Sequence, residues 1–310
     1  MSGKGNLPQS GNIPSGSGRP MRESRMPRLR GYLFAAPLLA VLGLAVLFPA
    51  VYNLAIAFFA VDLTRNSWTF VGFRNFAKLW DSEFFWNSFG VTLIWVGGNV
   101  ALQFVAGLST ALALNSIRRF RGLFMGILLI PWISSFVVVA ILFLWIYHPQ
   151  LGVLNDLLLR LGLIGEPLAY LASPRLAQLS LILANTWKFT PLVMITLFAG
   201  LQDVPREFLE VAAVDGAGPW HAFRRVVVPT ILPSISTAIL LSTIWAYNSF
   251  TLPIIMTAGG PLRATEILGL FIYKQAFDAF DFGAAAACSL VLFVQILVVI
   301  ILYLGAMDRG

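Results

Sequence analysis

Residues 210–220 read EVAAVDGAGPW, two carboxylates and two glycines set between apolar runs at 177–200 and 229–257. Each run has the ~20 apolar residues a helix needs to cross a ~30 Å hydrocarbon core at ~1.5 Å per residue. An acidic, glycine-bearing hinge between two such runs is a turn outside the bilayer, so the chain is read as an all-α, polytopic membrane protein. Four more windows of this kind occur, at about 32–60, 88–114, 122–147 and 283–307, giving six spans. Pro37, Pro49, Pro131, Pro191 and Pro253 fall inside windows, which a helix bundle tolerates because neighbouring helices satisfy the freed backbone groups. The strict alternation of a membrane β-barrel is missing.

Bulk composition agrees. Of 310 residues, 58% are hydrophobic and 11% charged, against roughly a quarter charged in soluble domains. The net charge of +7 is spread through short segments between apolar runs, a topology signal rather than a nucleic-acid footprint. Thirteen of the 21 lysines and arginines fall on one side if the N-terminus is cytoplasmic: Lys4, the five arginines between 19 and 30, Arg118, Arg119, Arg121, Arg206, Arg224, Arg225 and Arg309. Seven fall on the other side across longer connections, and the last is Lys188, inside a span. Both termini are therefore placed in the cytoplasm. Residues 1–30, rich in Gly, Ser and Pro and then in Arg, read as a disordered basic arm ahead of a membrane domain over 31–310. The single cysteine, Cys288, excludes a disulfide framework, and His148 and His221 stand far apart with no second ligand at metal spacing, so no metal site is assigned. The outer segment 261–283 holds Arg263, Glu266, Lys274, Asp278 and Asp281, too many charges for a span; it is read as a helix lying across the outer mouth.

The inner connection 201–228 reads as two short helices about a hinge. Asp203 can cap the first and Pro205 suits its first turn; Gly216 supplies the left-handed end; Pro219 restarts the chain. Trp220, Phe223 and Val227 recur at helical spacing and make one apolar face. Burying Trp and Phe is worth very roughly 1.5–3 kcal/mol each, so the protein's own helices or a docked partner should cover that face.

Glu210, Ala212, Asp215, Gly216, Ala217, Phe223, Val226, Pro229 and Pro233 together resemble the EAA loop of bacterial ABC-importer permeases, with Val211 where the family usually has Ala. The resemblance implies a type I importer permease fold and an inner-membrane location. It assigns the contact with the ATPase to Glu210, Ala213, Asp215, Gly216, Ala217, Trp220 and Phe223 within a loop spanning about 203–233: Glu210 as an ion-pair anchor, Gly216 as the bend, Trp220 and Phe223 as cleft-filling groups. VGFRNF at 71–76, ANTWKFTP at 184–191 and TAGGPLRAT at 257–265 are similar to the carbohydrate branch, and to the first permease of maltose and glycerol-3-phosphate type systems. The implied partners are a second, different permease, two ATPase subunits carrying ATP and magnesium, and an extracytoplasmic sugar-binding protein. The chain itself has no phosphate-binding loop of the G-x-x-x-x-G-K-[ST] kind and no cofactor is assigned to it.

Polar groups inside spans face a bundle interior or a path. Asn185, Trp187, Lys188 and Thr190 in the fourth span, with Ser242, Trp245, Tyr247, Asn248 and Ser249 in the fifth, are the candidate path residues; aromatic faces suit a sugar ring and the amides and hydroxyls its OH groups. The bland alternative is interhelical hydrogen bonding, which is the reading taken for Asn99 and Gln103. Lys188 would attract an anionic solute, or snorkel, or pair with a carboxylate of a partner subunit. A secondary transporter using Lys188 as its coupling charge is the rival class, against which stands the lack of a clear internal repeat.

Overall fold

A computed structural model describes residues 35–62, 67–117 and 119–307. The basic arm at 1–30, Arg65, Arg118 and Arg309 lie outside them. The chain divides into two units, residues 1–51 and 52–310. Within the first, the described residues form most of helix α1 (Ala35–Ile56), apolar on all sides and with no buried residue. The window expected to stay helical to residue 60 ends at Ile56. Beyond it, β1 (Phe59–Asp62) pairs antiparallel with β2 (Ser67–Phe70), Phe59 facing Phe70.

The second unit continues with α2 (Arg74–Trp80), α3 (Glu83–Ser116), α4 (Arg121–Ile133), α5 (Phe136–Ile146), α6 (Val153–Arg160) and α7 (Pro174–Gln202). Then come α8 (Arg206–Val214), α9 (Pro219–Thr230, with a π-turn at Phe223–Val227), α10 (Leu232–Asn248), α11 (Thr251–Thr257), α12 (Leu268–Phe277) and α13 (Phe282–Met307). Among the described residues four helices, α1, α3, α7 and α13, are long and apolar enough to cross a membrane, or up to six if two bent pairs each count as one span.

The centre of the second unit is the pair α3 and α7. Ser82 starts α3 by accepting from the Phe85 N–H at 3.3 Å, and Glu83 lies in the first turn, where the helix dipole favours an acid. Pro174 opens α7, a position that costs no hydrogen bond. The two helices run side by side in the same direction: Gly98 lies against Ile182, Asn99 bonds Asn185, Gly107 lies against Val193 and Gln202 bonds Asn115. A Cβ on Gly107 would meet Val193 Cγ1 at 2.5 Å, so the absence of a side chain there sets how closely the helices approach. Parallel neighbours need a returning crossing between them, and α4 and α5 supply it.

That crossing is not straight. The window 122–147 is two helices meeting at 94°, broken at Ser134 and Ser135, both extended. The window 229–257 is likewise divided: α9 and α10 bend by 70° at Ile231, and Ser249 and Phe250 interrupt the chain between α10 and α11. Pro131, three residues before the first break, removes a donor from its helix and disturbs the turn before it.

Buried side chains form a central cluster from α3, α5, α7, α10 and α11, a second around Leu114, Leu197, Phe198 and Ile231, and a third around Leu79, Phe85, Phe271 and Cys288. The charged outer segment does contain a helix, α12, yet it packs against α13 and α3 with Leu268, Leu270 and Phe271 buried, rather than resting at the surface.

Candidate functional site

At the C-terminal ends of α3 and α7 the chain is tied down. Gln202 Nε2 donates to Asn115 Oδ1 at 2.8 Å. Arg121 Nε donates to the Ile117 carbonyl at 3.0 Å, and its guanidinium lies 5.3 Å from the Phe198 ring centroid. From here the connection 203–218 leaves the core. Asp203 does not cap α8; it closes α7, its N–H donating to Gly200 O at 3.1 Å, and the residue at the cap position of α8 is Pro205. The reason is local: α7 continues helically to Gln202, so Asp203 is spent as its last turn.

Gly216 has φ +77°, the left-handed end expected of it. The Ala217 N–H reaches Ala212 O at 2.9 Å and the Gly216 N–H reaches Ala213 O at 3.1 Å, the paired bonds of a Schellman end. Gly218, extended, then hands over to Pro219. None of α8 is buried. Phe208, Val211 and Val214 are exposed, the last by 88%, and Glu210, Ala213, Asp215 and Gly216 are exposed with them. Trp220, 71% exposed, stacks on half-buried Phe223 with centroids 5.7 Å apart. Val227 does not share their face: it joins the cluster around Leu114 with Val204, because the π-turn Phe223–Val227 adds a residue to one turn and rotates the rest of the helix. The loop is thus fastened at Val204 and Val227 and bare between them. Glu210, which makes no ion pair or hydrogen bond among the described residues, borders a cavity of about 820 Å³ with Arg121, Arg206, Asn115 and Gln202.

The candidate path residues divide in two. Asn185 is fully buried; it donates to Asn99 Oδ1 at 2.7 Å and accepts from Ser249 Oγ at 3.3 Å. Gln103 Nε2 donates to the same Asn99 oxygen at 3.2 Å. This network joins α3 and α7 to the break after α10, so Asn99 and Gln103 pack as expected and Asn185 and Ser249 pack with them. Ser242 and Tyr247 are buried as well. On the outside of the bundle are Trp187 and Trp245, 40% and 42% exposed, with Asn248 exposed and Thr190 half-buried. Trp187 and Thr190 border a groove of about 590 Å³ with Pro131, Thr186 and Pro191, and Phe189 bridges Trp245 and Phe136 at centroid distances of 5.6 and 5.8 Å.

Lys188 is 3% exposed, and its ammonium donates to the carbonyls of Ser134 (2.5 Å), Trp132 (3.3 Å) and Pro131 (3.5 Å), 4.5 Å from the Phe136 ring centroid. Those carbonyls are the free end of α4, where a cation meets both the unpaired acceptors and the negative end of the dipole. None of the roles expected for Lys188 included this one. In the connection between α6 and α7, burial raises the Tyr170 phenol above the ordinary tyrosine range.

Two groups escaped the reading of the sequence. Trp95, which nothing in the sequence marks out within its span, donates through Nε1 to Ala246 O at 3.0 Å across α3 and α10. Glu266, counted only as one charge among five, is fully buried between Arg263 and Lys274. The signal for Glu266 was present: a lone acid with two bases within eight positions, in otherwise apolar surroundings.

The alginate importer of a bacterium superposes with a TM-score of 0.77 at 24% identity, over 91% of this chain and 97% of the solved one. The sulfoquinovosyl glycerol transport system permease protein of Agrobacterium fabrum is 33% identical over 282 residues, covering 89% of this chain and 90% of that protein. The trehalose/maltose transport system permease protein of Thermococcus litoralis is 32% identical over 274 residues, covering 88% and 92%. The family described as "Binding-protein-dependent transport system inner membrane component" matches residues 103–306, two thirds of the chain and all of the connection 203–233, and this protein belongs to it.

Proposed function

We propose that this chain is one permease of a binding-protein-dependent ABC importer, passing a sugar or sugar-like solute inward. The observation that carries the reading is the loop of residues 203–227, anchored at both ends and bare in the middle. Phe208, Val211, Val214 and Trp220 contribute nothing to their own fold while exposed, and a cleft on an ATPase subunit would cover them. ATP and magnesium belong to two such subunits, and Glu210, with no partner of its own among the described residues, is the group available to pair across that contact. The relatives named for sulfoquinovosyl glycerol and for trehalose and maltose favour a carbohydrate or a glycoside as the solute.

On this reading the chain spans the inner membrane six times, counting each bent pair once, with both termini cytoplasmic. A second, different permease faces it. That subunit and lipid cover α1, and the path runs between the two permeases past Trp187, Thr190, Trp245 and Asn248, the polar and aromatic groups this chain leaves uncovered. Asn185, Ser249, Ser242 and Tyr247 stand behind them and hold the wall. ATP binding closes the ATPase pair, the loop transmits the movement, and the permeases turn from inward-open to outward-open.

Gly216→Pro tests the reading, because proline cannot adopt φ +77°. Uptake and retention of the ATPase subunit on purification are expected to be lost while the permease still inserts in the membrane. Uptake by the permeases without any ATPase subunit would overturn it.

A further inference from the structure

The connection between α11 and α12 is built more firmly than the transport reading requires. The Glu266 carboxylate, fully buried, accepts from Lys274 Nζ at 2.6 Å, from Arg263 Nη1 at 3.2 Å and from Ser88 Oγ at 3.5 Å. Lys274 Nζ also donates to Ala258 O at 2.8 Å, Asn87 Nδ2 to Arg263 O at 3.1 Å, and Gln178 Nε2 to Ala264 O at 2.7 Å. The backbone so held is unusual: Ala258, Leu262 and Arg263 have φ of 50°, 49° and 60°. Non-glycine residues keep the left-handed conformation where their surroundings dictate it, and such positions gather where a loop presents something.

The side chain this loop presents is Leu262. It is 88% exposed, and beside it the Arg263 guanidinium lies 3.7 Å from the centroid of the exposed Phe84 ring. We infer that Leu262, flanked by Phe84 and Arg263, is the anchor on which the loaded extracytoplasmic binding protein docks, its counterpart being an apolar pocket with an acidic rim. The inference rests on the proposed role of the chain as a binding-protein-dependent permease and adds where the binding protein engages it. Three observations favour that occupant over a lipid headgroup layer. The backbone is fixed by six side-chain hydrogen bonds and ion pairs, which lowers the entropy lost on docking a partner and does nothing for a leucine dissolved in lipid. A charged guanidinium lies at the tip. The loop also bonds to Asn87 and Gln178, at the starts of α3 and α7, whose far ends hold Asn115, Gln202 and the coupling loop, so contact at the tip bears on both helices that run to the ATPase side.

The test uses the complete transporter in nanodiscs with its cognate binding protein, loaded with solute and titrated while ATP hydrolysis is followed. Leu262→Asp is expected to raise the half-saturating concentration of binding protein roughly tenfold or more, whereas Leu262→Met, which keeps an apolar tip, stays near wild type. Half-saturation unchanged in Leu262→Asp, beside a responsive wild type, overturns the inference and leaves the permease reading standing. The same holds if Leu262→Asp only lowers the amount inserted in the membrane, the mark of a lipid anchor. A wild type that no binding protein stimulates overturns the permease reading itself, and this inference with it.

Discussion

A lysine in the middle of a span is explained by the groups its ammonium touches, and Lys188 touches the carbonyl end of a broken helix. Lys188→Met leaves those buried acceptors unpaired, at a cost of about 1–3 kcal/mol. Denaturation of the purified permease, followed by tryptophan fluorescence, is expected to show that loss, with Lys188→Arg keeping most of the wild-type stability. A group serving only to attract an anionic solute would instead lose uptake with stability intact. The second buried charge behaves similarly. Glu266→Gln leaves Lys274 and Arg263 without a counter-ion, and about 2 kcal/mol is expected to be lost, less than for a fully buried pair because both cations keep part of their water. The sequence placed both charges among apolar neighbours and offered bases near Glu266, but it could not name the partners of Lys188. Lys188 meets Ser134 across 54 positions, through a bend whose angle no residue type specifies.

Elements were legible to the degree that length and hydropathy define them. The windows for the second, fourth and sixth spans correspond to α3, α7 and α13 within a few residues. Bends were not legible, because two polar residues, Ser134–Ser135 or Asn248–Ser249, are too short an interruption to end an apolar window, and hydropathy carries no information on direction. Helix proximity was hidden for a different reason: Gly107 looks like any small residue in a span until Val193 is seen against it. Gly107→Val is therefore expected to force α3 and α7 apart and cost roughly 1–3 kcal/mol. Pairing it with Val193→Ala should restore part of that loss in the same denaturation measurement; equal loss in single and double variants would show that the two helices do not meet there.

On the scale of the whole second unit, α3 is roughly 50 Å long, and the parallel pair α3 and α7 joins the fixed loop 258–266 at one end to the bare loop 203–227 at the other. The bare loop was the most legible part of the candidate site. Its bend depends on glycine and its ends on proline, and those requirements are local enough to be written in the sequence. The path residues were the least legible, since whether Asn185 faces a solute or Asn99 depends on a neighbour 86 positions away. The central claim is that the bare loop is the handle of a separate motor. Ala213→Cys tests it most directly, because Ala213 is exposed at the bend and the native Cys288 is fully buried. In the assembled transporter a short bifunctional reagent is expected to join residue 213 to the ATPase subunit, with less product when ATP closes the contact around it. Labelling of residue 213 by an impermeant thiol reagent from outside intact cells, or full uptake with no such adduct, would contradict the account.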